Sequence, residues 1–153
     1  MSLREERQRR ILTTHVGSLP RPQSLSAKLF ARMSGQNYDA KALGDELHQA
    51  VGDIVKKQAE LGVDIVSDGE LSKTSFQHYV TDRLSGLEPF KPKPGVRATM
   101  ENQNFPTFYK DGSHSGTQPT RYACTGPLKY VGQKQLQADI QNLKDGLKGA
   151  SPA

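Results

Sequence analysis

The stretch Gly62-Val63-Asp64-Ile65-Val66-Ser67-Asp68-Gly69-Glu70 constrains this chain more than any other. Val63, Ile65 and Val66 form a branched apolar run leading straight into Asp-Gly-Glu. Such a run reads as a buried strand that delivers two carboxylates to its C-terminal end. In α/β folds that end of a parallel strand is the edge where ligands sit. The rest of the chain can be taken as scaffold that aims this strand, or as the part of the fold that answers it.

Upstream, Ile11-Leu12-Thr13-Thr14-His15-Val16 has β-branched strand character and breaks at Gly17, with Pro20 and Pro22 closing the turn. Gly17-Ser18 then lies at the tip of a first strand. Leu25, Leu29, Phe30 and Met33 predict a short helix beginning near Ser24 and ending near Gly35. Asp39 is a plausible N-cap for a longer helix, with Leu43, Leu47, Ala50, Val51, Ile54 and Val55 on one stripe and a stop at Gly62. Strand, helices, strand is a βαβ unit with a right-handed crossover, which makes the two strands parallel. Their tips, His15 to Ser18 and Asp68 to Glu70, are then expected to face a shared pocket.

Beyond Glu70, Thr74 is read as the cap of a helix carrying Phe76, Tyr79, Val80 and Leu84, stopped by Gly86. Residues 88–127 are broken by proline and glycine. Only short apolar runs remain there, at Val96 to Met100, Phe105 to Tyr109 and Tyr122 to Cys124. They predict an excursion of short strands or hairpins. Leu136, Ile140, Leu143 and Leu147 predict a last helix that stops at Gly149. Two parallel strands cannot close a barrel or cover a sheet, so the expectation is the opening of a fold rather than the whole of one.

Charge narrows the partners. The formal net charge is +5, but only Arg4, Arg7, Arg9 and Arg10 cluster, and Glu5 and Glu6 interrupt them. Residues 1–10 therefore read as a solvated basic lead-in, and no nucleic-acid partner is expected. The single cysteine, Cys124, leaves no internal disulfide and fits a reducing compartment. No apolar run approaches a membrane span and residues 1–10 have no signal-peptide core, so a cytoplasmic location and no membrane partner are expected.

On an extended strand Asp68 and Glu70 point to one face, two residues apart. Such a pair can hold an ammonium, bind a metal or divide into acid and base. The plainer reading is a pair of solvated acids at a strand-end turn. His15, beside the first tip, reads as a hydrogen-bonded structural residue before it reads as a ligand. Cys124 has no Cys or His at metal-ligand spacing, so no metal residues are assigned.

Thr13-Thr14-His15-Val16-Gly17-Ser18-Leu19-Pro20-Arg21 and Gly62 to Glu70, in that order, resemble the cobalamin-independent methionine synthase family. Thr125 to Pro127 and the helix from Gln133 to Leu147 also fit. The resemblance implies an α/β fold, here a partial TIM (β/α)8 barrel. It comprises the first two parallel strands with their helices, over 11–153, plus the loop or hairpin excursion at 88–127. It implies methyl transfer from a methyltetrahydrofolate to the thiol of homocysteine, on zinc. It assigns the amino-acid carboxylate to Val16, Gly17 and Ser18 and the ammonium to Glu70; His15 and Asp68 are candidate accessory residues to which it gives no role. The family's zinc ligands are a His-x-Cys pair, a Glu and a second Cys on later strands, and no His-x-Cys occurs here. This sequence is therefore expected to be inactive alone and to self-associate through unfinished barrel edges. His15, where many relatives carry a smaller residue, points towards a stand-alone subgroup with another thiol acceptor such as coenzyme M. The competing readings are a non-catalytic binding or assembly module derived from the barrel, and a related barrel acting on porphyrin carboxylates.

Overall fold

The structure is a computed structural model that describes residues 3–90, 100–110 and 121–150. The chain divides into two compact units, Met1–Arg83 with Val131–Ala153, and Leu84–Tyr130.

The first unit is built on helix packing. After a short α1 (Leu3–Glu6), α2 (Gln23–Met33) and α3 (Ala40–Glu60) supply most of the core, and α7 (Gln133–Gly149) lies against α3. The Asp39 side chain accepts the Ala42 N–H at 2.9 Å, satisfying a donor that the first turn of α3 leaves free. Leu43, Leu47, Ala50, Val51 and Val55 then fall on one face and pack with Leu25, Leu29 and Leu71. Each such leucine or valine contributes about 1.5–3 kcal/mol by leaving water. The helix closes at Leu61, and Gly62 at φ +75° turns the chain out. Close approach of α7 to α3 depends on Gly146, where a Cβ would stand 3.3 Å from Gly52 Cα and 3.4 Å from Val55.

The two expected parallel strands are reduced to a single parallel bridge between Thr14 and Ile65, with Ile65 N–H donating to Thr13 O at 3.0 Å. Side chains take over the ladder on either side of it. The Asp64 carboxylate accepts from Thr13 N at 2.7 Å and from its hydroxyl at 2.9 Å. The Gln58 amide, from α3, donates to Ser67 O at 2.8 Å and accepts Ser67 N–H at 3.1 Å. Such local bonds satisfy the backbone without extending a sheet. Arg10 is not simply solvated, because its guanidinium makes two bonds to Asp64, at 2.9 and 2.5 Å.

The short helix α4 (Phe76–Thr81) differs from expectation. Ser75, not Thr74, caps it, accepting the His78 N–H at 3.2 Å, and Leu84 and Gly86 lie beyond its end. Its expected apolar face is not buried: Phe76 and Val80 are exposed while His78 is buried. After α4 the chain leaves the unit at Arg83, whose guanidinium lies 3.5 Å from the Tyr79 ring centroid and 2.8 Å from Asp139 on α7.

The second unit holds the two strands of the described residues, β1 (Leu84–Phe90) and β2 (Arg121–Tyr130), paired antiparallel. The register shifts between Ser85 and Leu87, where Gly86 adopts φ +83°. A Cβ there would fall 2.6 Å from Pro127 O, so only glycine fits. Tyr122 to Cys124 lies inside β2. The apolar run at Phe105 to Tyr109, expected as strand, is instead largely helical, in α6 (Pro106–Lys110) following α5 (Met100–Asn104). Residues 96–99 of the Val96 run lie outside the described residues. Among the described residues no helix is long and apolar enough to cross a membrane.

Candidate functional site

The site lies in the first unit, where the Gly17-Ser18 turn meets the Asp68-Gly69-Glu70 turn. Gly17 takes φ +99°, a conformation that side-chain-bearing residues seldom adopt. His15 braces this turn by donating from Nε2 to Gly17 O at 3.1 Å, which fixes the ring proton on that nitrogen. Val16 is 87% exposed.

The carboxylates do not sit on an extended strand. Gly69 (φ +62°) and Glu70 (φ +55°) both take left-handed backbone, so the chain is already turning at Gly69, and a further turn follows in which Lys73 N–H donates to Glu70 O at 3.0 Å. For glutamate this conformation costs about 1–2 kcal/mol and calls for restraint from its surroundings. Asp68 provides part of it, accepting the Glu70 N–H on Oδ1 at 2.9 Å. Leu19 N–H donates to Gly69 O at 2.9 Å, and the Leu19 side chain would lie 3.1 Å from a Cβ on Gly69. Leu71, 1% exposed, anchors the following residue in the core.

Arg21 completes the restraint. Its Nε donates to Leu71 O at 3.0 Å, and one terminal nitrogen donates to Glu70 O at 2.8 Å and to Lys73 O. The same nitrogen reaches the Ser18 hydroxyl at 3.4 Å. A planar guanidinium can serve several carbonyls at fixed angles, which a lysine ammonium cannot reproduce. Burial pushes the Arg21 pKa down, and the charge of Glu70 opposes that.

The two tips meet directly: the Ser18 hydroxyl donates to Glu70 Oε2 at 3.1 Å. Lys73 approaches the other oxygen, Nζ to Oε1, at 3.3 Å. Burial works against the charge on Glu70. The Lys73 hydrogen bond and charge, the Ser18 hydroxyl and the Arg21 charge together outweigh it, so the carboxyl titrates below its usual range. An ionised carboxylate beside a glycine-opened turn can take an ammonium on one side while hydroxyl and backbone donors take a carboxylate on the other.

Ser18, Gly17, Glu70, Asp68 and His15 are thus gathered, with Asp68 and His15 bonded to backbone. Arg21, Lys73 and Gln58 were not singled out from sequence. Gln58 did leave a signal, as a polar residue following Ile54 and Val55 on the stripe of α3. Arg21, although it closes the Thr13 to Arg21 stretch, and Lys73 gave no sign of these roles, because their partners are backbone carbonyls and a carboxylate brought close only by the fold.

The described residues do not fit a zinc centre. Among the described residues no group of three or more His, Cys, Asp or Glu side chains could hold a metal ion. His48 is bonded to Asn142, His78 to Ser75, and the exposed Cys124 thiol donates to Gly126 O at 3.4 Å.

The described residues form a mixed helix-and-strand fold in which a carboxylate turn meets a glycine turn. The family model for the catalytic domain of cobalamin-independent synthases matches residues 11–137. The chain belongs to the cobalamin-independent methionine synthase family. It is 27% identical over 129 residues to a methionine synthase of Sulfolobus acidocaldarius, covering 75% of this chain and 38% of that protein. It is 35% identical over 83 residues to the uncharacterized protein YxjH of Bacillus subtilis, covering 54% of this chain and 22% of YxjH. With a methionine synthase of Saccharolobus islandicus it shares 29% over 80 residues, 52% of this chain and 24% of that protein. The chain therefore spans well under half the length of these relatives.

Proposed function

We propose that this chain forms the amino-acid-binding part of a methyltransferase pocket that accepts a thiol amino acid such as homocysteine. Gly17 and Ser18, with the backbone at Val16, receive the ligand carboxylate, and Glu70 receives its ammonium. The observation that carries the reading is the 3.1 Å contact between Ser18 and Glu70, which unites two turns far apart in sequence. In the family's reaction the methyl group passes from a methyltetrahydrofolate to the thiol. Zinc, when bound, favours the thiolate that attacks. The described residues supply groups that bind and orient the amino acid rather than a zinc-ligand set, and on this reading they do not transfer methyl groups by themselves.

The Thr14–Ile65 bridge supports reading the two segments as the opening strands of a TIM (β/α)8 barrel. Ile11, Val16 and Ile65 are exposed along them, an edge on which further strands would pair. Self-association through that edge is the expected behaviour of the purified chain, in a cytoplasmic setting.

Calorimetric titration with homocysteine tests the pocket. Saturable binding that weakens about tenfold or more in Glu70→Gln is the expected outcome, since a hydrogen bond to a charged group contributes about 1.5–3 kcal/mol. Coenzyme M, a thiol with a sulfonate and no ammonium, should bind more weakly than homocysteine. Equal affinity for the two ligands, or no response to Glu70→Gln, would remove the ammonium assignment.

A further inference from the structure

Glu70 is paired with a cation from its own chain. Lys73 stands across the turn with Nζ 3.3 Å from Oε1, while the Ser18 hydroxyl takes Oε2 at 3.1 Å. The two partners differ in freedom. The backbone of Glu70 is fixed by Arg21, by Asp68 and by the burial of Leu71. Lys73 has a long flexible stem, and its Nζ also lies 4.9 Å from the ring centroid of Tyr79 on α4. The Arg83 guanidinium lies 3.5 Å from the same centroid, so an ammonium that leaves Glu70 keeps a cation–π contact with a ring it shares with Arg83.

We propose that Lys73 is a built-in competitor for the ammonium seat on Glu70, which gives up the carboxylate to an incoming amine by moving onto the face of Tyr79. The inference rests on the pocket reading above and deepens it: Lys73 sets how tightly the site takes an amine. An incoming ammonium replaces an ion pair rather than meeting an unpaired carboxylate. Its net gain is then smaller than the Glu70 contact alone supplies. Both side chains retain some exposure, 23% for Lys73 and 36% for Glu70. An ion pair of that kind corresponds to a factor of about two to five in affinity.

The test titrates the wild-type chain, Lys73→Met and Lys73→Arg with homocysteine and with cysteamine, an aminothiol without a carboxylate. In parallel, carbon-detected NMR follows the Glu70 carboxyl against pH, and far-UV circular dichroism confirms that each variant is folded. Lys73→Met should tighten both ligands about two- to fivefold and raise the Glu70 titration midpoint, and Lys73→Arg should resemble wild type in both. Weaker homocysteine binding by Lys73→Met would make Lys73 a ligand contact and overturn the proposal. So would wild-type binding left unchanged by Lys73→Met, or a Glu70 midpoint that does not move. If neither wild type nor Lys73→Met bound either amine, the pocket assignment itself would fall and the competitor with it.

Discussion

Gln58→Leu should loosen the carboxylate turn from below. Gln58 is 4% exposed, and its amide serves three backbone groups: Ile54 O at 3.1 Å, Ser67 O at 2.8 Å and Ser67 N–H at 3.1 Å. Ile54 O lies within α3, where the carbonyl has its helical partner as well. The substitution thus chiefly strands the donor and the acceptor of Ser67, which lies three residues before Glu70. Leucine has similar volume, so packing changes little and the loss is mainly of hydrogen bonds. A buried polar group left without a partner costs about 1–3 kcal/mol. Ser67 is only half-buried, so the low end applies and the two groups together amount to about 2 kcal/mol. At 1.4 kcal/mol per decade, that is an increase of about 30-fold in the exchange rate of the Ser67 amide. Native-state hydrogen exchange, read by NMR, reports that amide directly. The urea midpoint followed by far-UV circular dichroism should fall as well, with an unchanged slope. A Ser67 amide that exchanges within threefold of wild type would refute the idea that a helix side chain stands in for a neighbouring strand.

Gly86→Ala should destabilise the hairpin by at least about 1–2 kcal/mol for the left-handed backbone, with more from the 2.6 Å clash with Pro127 O; loss of amide protection across β1 and β2 measures it. Gly146→Val should separate α7 from α3 at a cost of about 1–3 kcal/mol. Gly44→Ala, in α3 with nothing within 4 Å of the new methyl, should instead stabilise by about 0.5–1 kcal/mol. Thermal melts of the two variants should shift in opposite directions. The Arg10 guanidinium and the Thr13 donors hold the Asp64 carboxyl well below the usual aspartate range. The folded state therefore binds fewer protons than the unfolded state just below the usual aspartate value of about 3.9. The contribution of Asp64 is complete above that pH and is lost as pH falls through the depressed folded value. Asp64→Asn should flatten the acid limb of a pH–stability curve and leave its neutral limb parallel to wild type.

Periodicity is dense enough in α3 and α7 for sequence to place both helices. The Asp39 cap and the Gly62 exit mark the first to within a residue or two. The approach of the two tips was legible as well, because a βαβ order dictates it. What sequence could not supply is the set of bonds made by side chains to distant backbone. Asp64 on Thr13 and Gln58 on Ser67 replace most of the expected ladder, and strand propensity carries no information about them. The same blindness hid the backbone at Glu70. An Asp-Gly-Glu tip looks like the end of a strand, whereas Arg21, remote in sequence, holds a non-glycine residue in left-handed geometry. In α4, Ser75 outcompeted Thr74 because its extended backbone (φ −159°, ψ 164°) aims the hydroxyl at His78 N.

The chain leaves the first unit at Arg83 and returns at Val131, and Val131 N–H donates to Arg83 O at 2.8 Å. The doorway is a single hydrogen bond wide. Whatever is strung between those two residues imposes almost no distance constraint on the helices that carry the site. The hairpin region is therefore a cassette, and lengthening, trimming or exchanging it is a change that α3, α7 and the Glu70 turn need not register.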